Sequence, residues 1–213
     1  MAVSLDCAWK LVLLSEHRRT EPSAGGVDQV DQVDQIRACR RGDRTALEAV
    51  FRAHADALAR LLTRIVGPTV DVEDLLQDTF AASITAFRTF RGEASIKTWL
   101  HRIAINVAHQ HLRRPRHRRE VALADAEVHD HAAPALDPDQ RELARRLYEH
   151  LDAIDATKRI ALVLYVIEER AVDEIAALMG ASVAATRSRI LWARRALMKR
   201  MRRDPMFAER GAP

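Results

Sequence analysis

The side chains with the most legible chemistry lie near the end of the chain, where Ser182, Thr186, Arg187, Arg189 and Arg194 follow one another at close helical spacing. A guanidinium is a rigid fork of N–H donors that matches the acceptor pair on a guanine edge or the oxygens of a phosphate. Just ahead, Glu174-Ile175-Ala176-Ala177-Leu178-Met179-Gly180 supplies a small residue where two helices can cross closely, an apolar residue before a turn, and a glycine free to take positive φ. Val183, Ile190 and Leu197 repeat every seven residues and are expected to pin the second helix down. The pattern predicts a helix-turn-helix that reads a major groove. A basic solvated helix or a protein-binding hairpin is the plain alternative, and the coincidence of glycine turn and arginine-rich helix weighs against both.

Two further clusters stand upstream. Behind Trp99-Leu100, the residues Lys97, His101, Asn106, His109, Gln110 and Arg113 are displaced from an apolar stripe of Ile96, Trp99, Leu100, Ile103 and Val107, giving a polar, partly cationic face suited to phosphates and unstacked bases. Trp99 itself reads as core. Earlier still, Glu73, Asp74, Gln77 and Asp78, on a helix that Asp71 can cap, fall outside the stripe of Val72, Leu75, Leu76, Thr79, Phe80, Ser83, Ile84 and Phe87 and offer an anionic surface to something basic. Carboxylates at a helix N-terminus also favour the macrodipole, which accounts for Asp71 to Asp74 but not for Gln77 and Asp78.

None of this is catalytic chemistry. There is no glycine-rich phosphate loop, nucleophile elbow or paired catalytic carboxylates. His101, His109, His111, His117, His129 and His131 invite zinc, but no HExxH or Cys-His set accompanies them, and scattered surface histidines are the better reading. No enzyme activity, cofactor or metal is expected. Cys7 and Cys39 lack CxxC spacing, as in a reducing cytosol. The apolar run from Trp9 to Leu14 is too short for a membrane span or a good signal core, so a cytoplasmic protein with no membrane insertion is expected.

These clusters need helices to position them. The 213 residues are 48% hydrophobic but only 5% aromatic, with seven Gly and seven Pro, which favours an all-α chain. Lys and Arg exceed Asp and Glu by only 34 to 30, yet the two signs occupy separate blocks, implying separate partners. Residues 1–34, with linker-like Glu21 to Gly26 and three Val-Asp-Gln copies, read as a disordered extension. Helical periodicity then runs to Gly67-Pro68, over Val72 to Phe87, and from a Ser95 cap to Pro115. A carboxylate-rich stretch follows, with Pro134 and Pro138. Beyond it, Leu143, Leu147, Leu151 and Ile154 mark an inward face and Ile160 to Val166 a buried helix.

Taken together these motifs resemble one family, the extracytoplasmic-function sigma factors of RNA polymerase. Asp71-Val72-Glu73-Asp74-Leu75-Leu76-Gln77-Asp78-Thr79-Phe80 is similar to their polymerase-contacting helix, Phe90 to Ser95 with Trp99-Leu100 and Ile103-Ala104-x-Asn106 to their promoter-melting segment, and Asp173 to Ala176 with Thr186 to Arg189 to their helix-turn-helix. The resemblance spans roughly Ile36 to Arg203. It implies two small helical domains joined by a flexible acidic linker: sigma domain two over 35–117, linker over 118–138, sigma domain four over 139–204, and a tail over 205–213. It implies that Asp71, Glu73, Asp74, Gln77 and Asp78, supported by Leu75 and Phe80, grip the beta-prime coiled coil of core polymerase, with the beta flap as a further contact. Arg91, Lys97, His101, Asn106, His109, Arg113 and Arg114 would face the minus-ten element, with the loop at Gly92 receiving a flipped base. Ser182, Thr186, Arg187, Arg189 and Arg194 would read the minus-thirty-five element, and the linker would thread the polymerase channel. An anti-sigma factor is a further partner that the family admits.

The sequence departs from the family pattern at Ile105 and Gln110, often arginine and aspartate there, at Ala185 and Thr186, often threonine and valine, and at Trp192, often arginine. These differences bear on promoter sequence. The rival function is a stand-alone helix-turn-helix regulator, which would need a dimer interface and no polymerase contact.

Overall fold

The computed structural model describes residues 29–67, 71–114 and 138–211. Among them there are nine helices and no strands, as the composition predicts. The front half holds α1 (Gln29–Arg40), α2 (Arg44–Val66), α3 (Asp71–Phe87) and α4 (Ile96–Leu112); the back half holds α5 (Pro138–Asp152), α6 (Ala156–Val166), α7 (Val172–Leu178), α8 (Val183–Met201) and α9 (Pro205–Gly211).

In the front half α2, α3 and α4 pack against one another pairwise. Asp43 caps α2 by accepting from the Ala46 amide at 3.1 Å, and the helix buries Leu47, Val50, Leu58, Leu61, Leu62 and Ile65 at the predicted spacing. In the back half α6 lies against α8, with α7 across both, and buries Ile160 to Leu164. Its cap is Asp155, which accepts from the Thr157 and Lys158 amides at 3.2 and 3.3 Å.

Two boundaries differ from expectation. The extension was expected to be disordered through residue 34, but α1 begins at Gln29. The Val-Asp-Gln copies place Val30, Val33 and Ile36 three apart, which is helical spacing, and Ile36 packs against the core. The expected tail contains α9: Asp204 accepts from the Met206 amide at 3.1 Å ahead of Pro205 at the first helical position, and Phe207 is buried beside His150. That Asp-Pro pair is a helix-start signal. The linker expected over 118–138 lies outside the described residues, except that Pro138 opens α5.

The halves also pack on each other, α4 against α6 and α7, and α2 against α6. Their buried residues form one continuous apolar cluster. Gly67, at φ 98°, brings the end of α2 so close to the Tyr148 ring that a Cβ would stand 3.0 Å from Tyr148 Cδ1. No helix among the described residues is long and apolar enough to cross a membrane.

Candidate polymerase and nucleic-acid interfaces

The anionic face is built on α3. Val72, Leu75, Thr79, Ser83 and Phe87 turn inward, and the hydroxyls of Thr79 and Ser83 donate to the carbonyls of Leu75 at 2.7 Å and Phe80 at 2.8 Å, so no polar group is stranded there. Phe80 is half-buried and stacks on Phe51, with centroids 4.3 Å apart. This fixes the opposite surface, where Glu73, Asp74, Gln77 and Asp78 are all exposed along one face. Asp71 belongs to the first turn; its side chain is outside the description. Leu75 and Phe80 therefore support this surface from beneath.

The second face is built on α4 and the loop before it. Phe87, Phe90 and Trp99 form an aromatic cluster, Trp99 lying 4.5 Å from Phe87 and 4.7 Å from Phe90 between centroids, which makes Trp99 core as expected. The loop turns at Gly92, with φ 78°, and Ser95 caps α4 by accepting from the Thr98 amide at 3.1 Å. Arg91, Lys97, Asn106, Gln110, Arg113 and Arg114 are exposed. Lys97 approaches His54 of α2, whose imidazole is held below the usual histidine range first by burial and then by that charge.

His101 and His109, expected on the exposed side, are not there. His101 is 5% exposed and its Nδ1 accepts from Arg170 Nη2 at 3.0 Å, while half-buried His109 pairs through Nε2 with Thr157 Oγ1 at 3.1 Å. Ile105, between them on the same face, is buried as well. An amphipathic reading assumes one buried side, whereas the back half covers a second side of α4. Arg102, which the sequence reading did not single out, donates from Nη2 to the Ala177 carbonyl at 2.6 Å in the same seam.

The third face is the helix-turn-helix. Ala176 is buried at the crossing, Leu178 is buried before the turn, and Gly180 takes φ 59° with open space around it. Ser182 caps α8, accepting from the Ala185 amide at 3.2 Å. Arg187, Arg194 and Arg195 are exposed and Arg189 half-buried. Thr186, expected to face DNA, is 0% exposed, and its hydroxyl donates to the Ser182 carbonyl at 3.0 Å. Val183, expected to pin the helix, is instead exposed; the inward stripe is Thr186, Ile190, Ala193, Leu197 and Met201. Trp192 is 58% exposed, with the Arg195 guanidinium 5.9 Å from its ring centre.

Among the described residues no three His, Cys, Asp or Glu side chains converge as metal ligands. His117, His129 and His131 lie outside the description.

Comparison with known proteins bears on this arrangement. The family Sigma-70 region 2 matches residues 50–119, the stretch holding most of α2 and all of α3 and α4. The RNA polymerase sigma-H factor of Pseudomonas aeruginosa is 30% identical over 185 residues, covering 82% of this chain and 94% of that protein. The ECF RNA polymerase sigma-E factor of Escherichia coli K12 is 30% identical over 181 residues, covering 80% of this chain and 94% of the relative. Among solved structures, CnrH in complex with the cytosolic domain of CnrY matches with a TM-score of 0.55 at 25% identity, over 81% of this chain and 98% of that one. The chain belongs to the extracytoplasmic-function sigma factors of the sigma-70 family.

Proposed function

We propose that this sigma factor docks core RNA polymerase through the exposed carboxylates of α3 and directs initiation by laying α4 and α8 on promoter DNA. The observation that carries the reading is the separation of charge by helix. An anionic face on α3 and cationic faces on α4 and α8 each sit on a helix anchored in the core on its opposite side. The beta-prime coiled coil of core polymerase fits the first face, with the beta flap as a further contact of the chain, and polyanionic DNA fits the other two.

In this reading the front unit, from α1 through α4, meets the minus-ten element with Arg91, Lys97, Asn106, Arg113 and Arg114, and the loop at Gly92 takes an unstacked base. Base capture offsets an unstacking cost of a few kcal/mol. The back unit, from α5 through α9, reads the minus-thirty-five element with Ser182, Arg187, Arg189 and Arg194. Polymerase fixes the spacing of the two units, so the second contact becomes effectively intramolecular. A protein partner of the anti-sigma kind, working in the cytoplasm, is part of the proposal; the solved CnrH structure holds the cytosolic domain of CnrY.

The test is charge reversal of Asp74 and Asp78 to lysine. Co-purification with core polymerase should be lost while the circular dichroism spectrum is unchanged; retained co-purification would remove α3 from the interface. Gel filtration with and without core polymerase separates this function from that of a dimeric stand-alone regulator.

A further inference from the structure

Helix α8 carries most of its charge on its flanks and little on its summit. The buried stripe of Thr186, Ile190, Ala193, Leu197 and Met201 fixes which way the helix faces. At about 100° per residue, Ala184, Ser188, Leu191, Trp192 and Arg195 fall within roughly 60° of the line directly opposite that stripe, and all of them are exposed. Arg187 and Arg194 stand about 100–120° from the same line on one flank, and half-buried Arg189 about 100° from it on the other. The summit therefore holds two large apolar side chains next to each other, Leu191 at 47% and Trp192 at 58% exposure. The Arg195 guanidinium lies 5.9 Å from the Trp192 ring centre, a cation–π contact that restrains the indole. The hydrogen-bonding residues assigned above to the minus-thirty-five element give these two side chains no role.

We propose that Leu191 and Trp192 are specificity-determining residues that read thymine C5 methyl groups in the minus-thirty-five duplex. The inference rests on the sigma-factor reading above and names the base that the back unit selects. A helix lying in a major groove turns its summit to the base edges and its flanks to the two phosphate walls. Guanidinium groups on both flanks match phosphate oxygens. At the summit, the apolar group that a base edge offers is the methyl of thymine. An arginine at position 192, as the family often has, would favour guanine instead, so this chain exchanges a hydrogen bond for a methyl contact. Ala184 and Ser188 are small and let the summit approach the bases closely. Charge selects the occupant: α8 carries Arg187, Arg189, Arg194, Arg195, Lys199 and Arg200 and has no Asp or Glu, which fits a polyanion with apolar spots.

Deoxyuridine tests this, because it keeps the pairing and the O4 acceptor of thymine and lacks only the methyl. The element is first selected from random duplexes by the full chain bound to core polymerase, and each thymine in it is then replaced singly by deoxyuridine. Binding should fall about twofold or more at one thymine at least, and about fourfold where the methyl is fully buried. Leu191→Ala with Trp192→Ala, both at exposed positions, should keep the circular dichroism spectrum, co-purify with core polymerase as the parent does, and bind the thymine and deoxyuridine duplexes equally. A selected element without thymine, a penalty below about twofold at every thymine, or a penalty that survives in the double variant would overturn the proposal. Loss of core-polymerase binding by the variant would overturn it too, and would assign Leu191 and Trp192 to a protein surface. If the parent chain itself fails to bind core polymerase, the sigma-factor reading is what falls, and selection by the chain alone carries the same comparison of duplexes.

Discussion

Arg159, buried to 1% exposure in α6, closes the C-terminal end of α2 by donating from Nε to the carbonyl of Ile65 at 2.8 Å. The last carbonyls of a helix have no partner within it and carry partial negative charge, so a cation brought from the other half satisfies both needs. Asp152 of α5 pairs with the same guanidinium through Nη1, and the charge is thereby held between a helix end and a carboxylate. Replacement of Arg159 by Met should lower unfolding stability by about 2–4 kcal/mol, since it strips a buried carbonyl and a partly buried carboxylate of their donor. Urea denaturation measures this. A loss below about 0.5 kcal/mol would show that water replaces the guanidinium freely.

Gly67→Ala should destabilise the chain by about 1–3 kcal/mol, because the residue combines φ 98° with a Cβ position 3.0 Å from the Tyr148 ring. The ring is held by its own contacts and cannot swing aside cheaply. Pairing Gly67→Ala with Tyr148→Ala in a double-mutant cycle should reveal coupling; additive losses would leave backbone conformation as the only cause.

Arg187→Ala should weaken promoter binding by the polymerase complex by about 1–3 kcal/mol if its exposed fork reads a base. Titrations across promoter variants at several salt concentrations check it. A uniform loss on every sequence, with a shallower salt dependence, would assign Arg187 to a phosphate.

Thr186→Val, by contrast, should leave promoter preference unchanged and shift stability by no more than about 1.5 kcal/mol, the worth of one hydrogen bond. The side chain is buried, and the Ser182 carbonyl it contacts also accepts from the Thr186 amide at 2.9 Å. Altered base preference in a selection from random duplexes would return Thr186 to the reading surface.

Stability should fall on acidification in two windows. The folded-state pKa of His54 is lowered by burial and by Lys97, so below the ordinary histidine range the unfolded chain binds a proton that the folded one resists. The stabilisation is complete above that range and is lost as pH drops through the lowered value. The Glu142 carboxyl is held down to about 2, chiefly by its hydrogen bond from Arg145. Its contribution is present above the usual carboxylate range and fades as pH falls toward that value. Thermal melts of His54→Gln should lose the upper window and retain the lower; an undiminished upper window would place its origin in another group.

Sequence periodicity made the anionic face of α3 legible because Val72, Leu75, Thr79, Ser83 and Phe87 face a single local core, although Ile84, expected in the same stripe, is 48% exposed. The Ser95 cap and the Gly180 turn were equally readable, being decided by neighbours three or four residues away. His101 was misplaced because its cover comes from Arg170, 69 positions along, and no local pattern reports a second packing partner. Ile105 carried a hint, an aliphatic residue on what looked like a polar face. Val183, the first residue of α8, is left out of the stripe Thr186, Ile190, Ala193, Leu197 and Met201, whose spacings are four, three, four and four.

The two described tryptophans give each half its own optical signature. Trp99 is wedged among phenylalanines, whereas Trp192 projects largely into solvent. With Trp9 replaced by phenylalanine, the bluer, quencher-shielded part of the indole emission would come from the front half and the redder, iodide-accessible part from the back. Fluorescence can then follow each half without any attached dye.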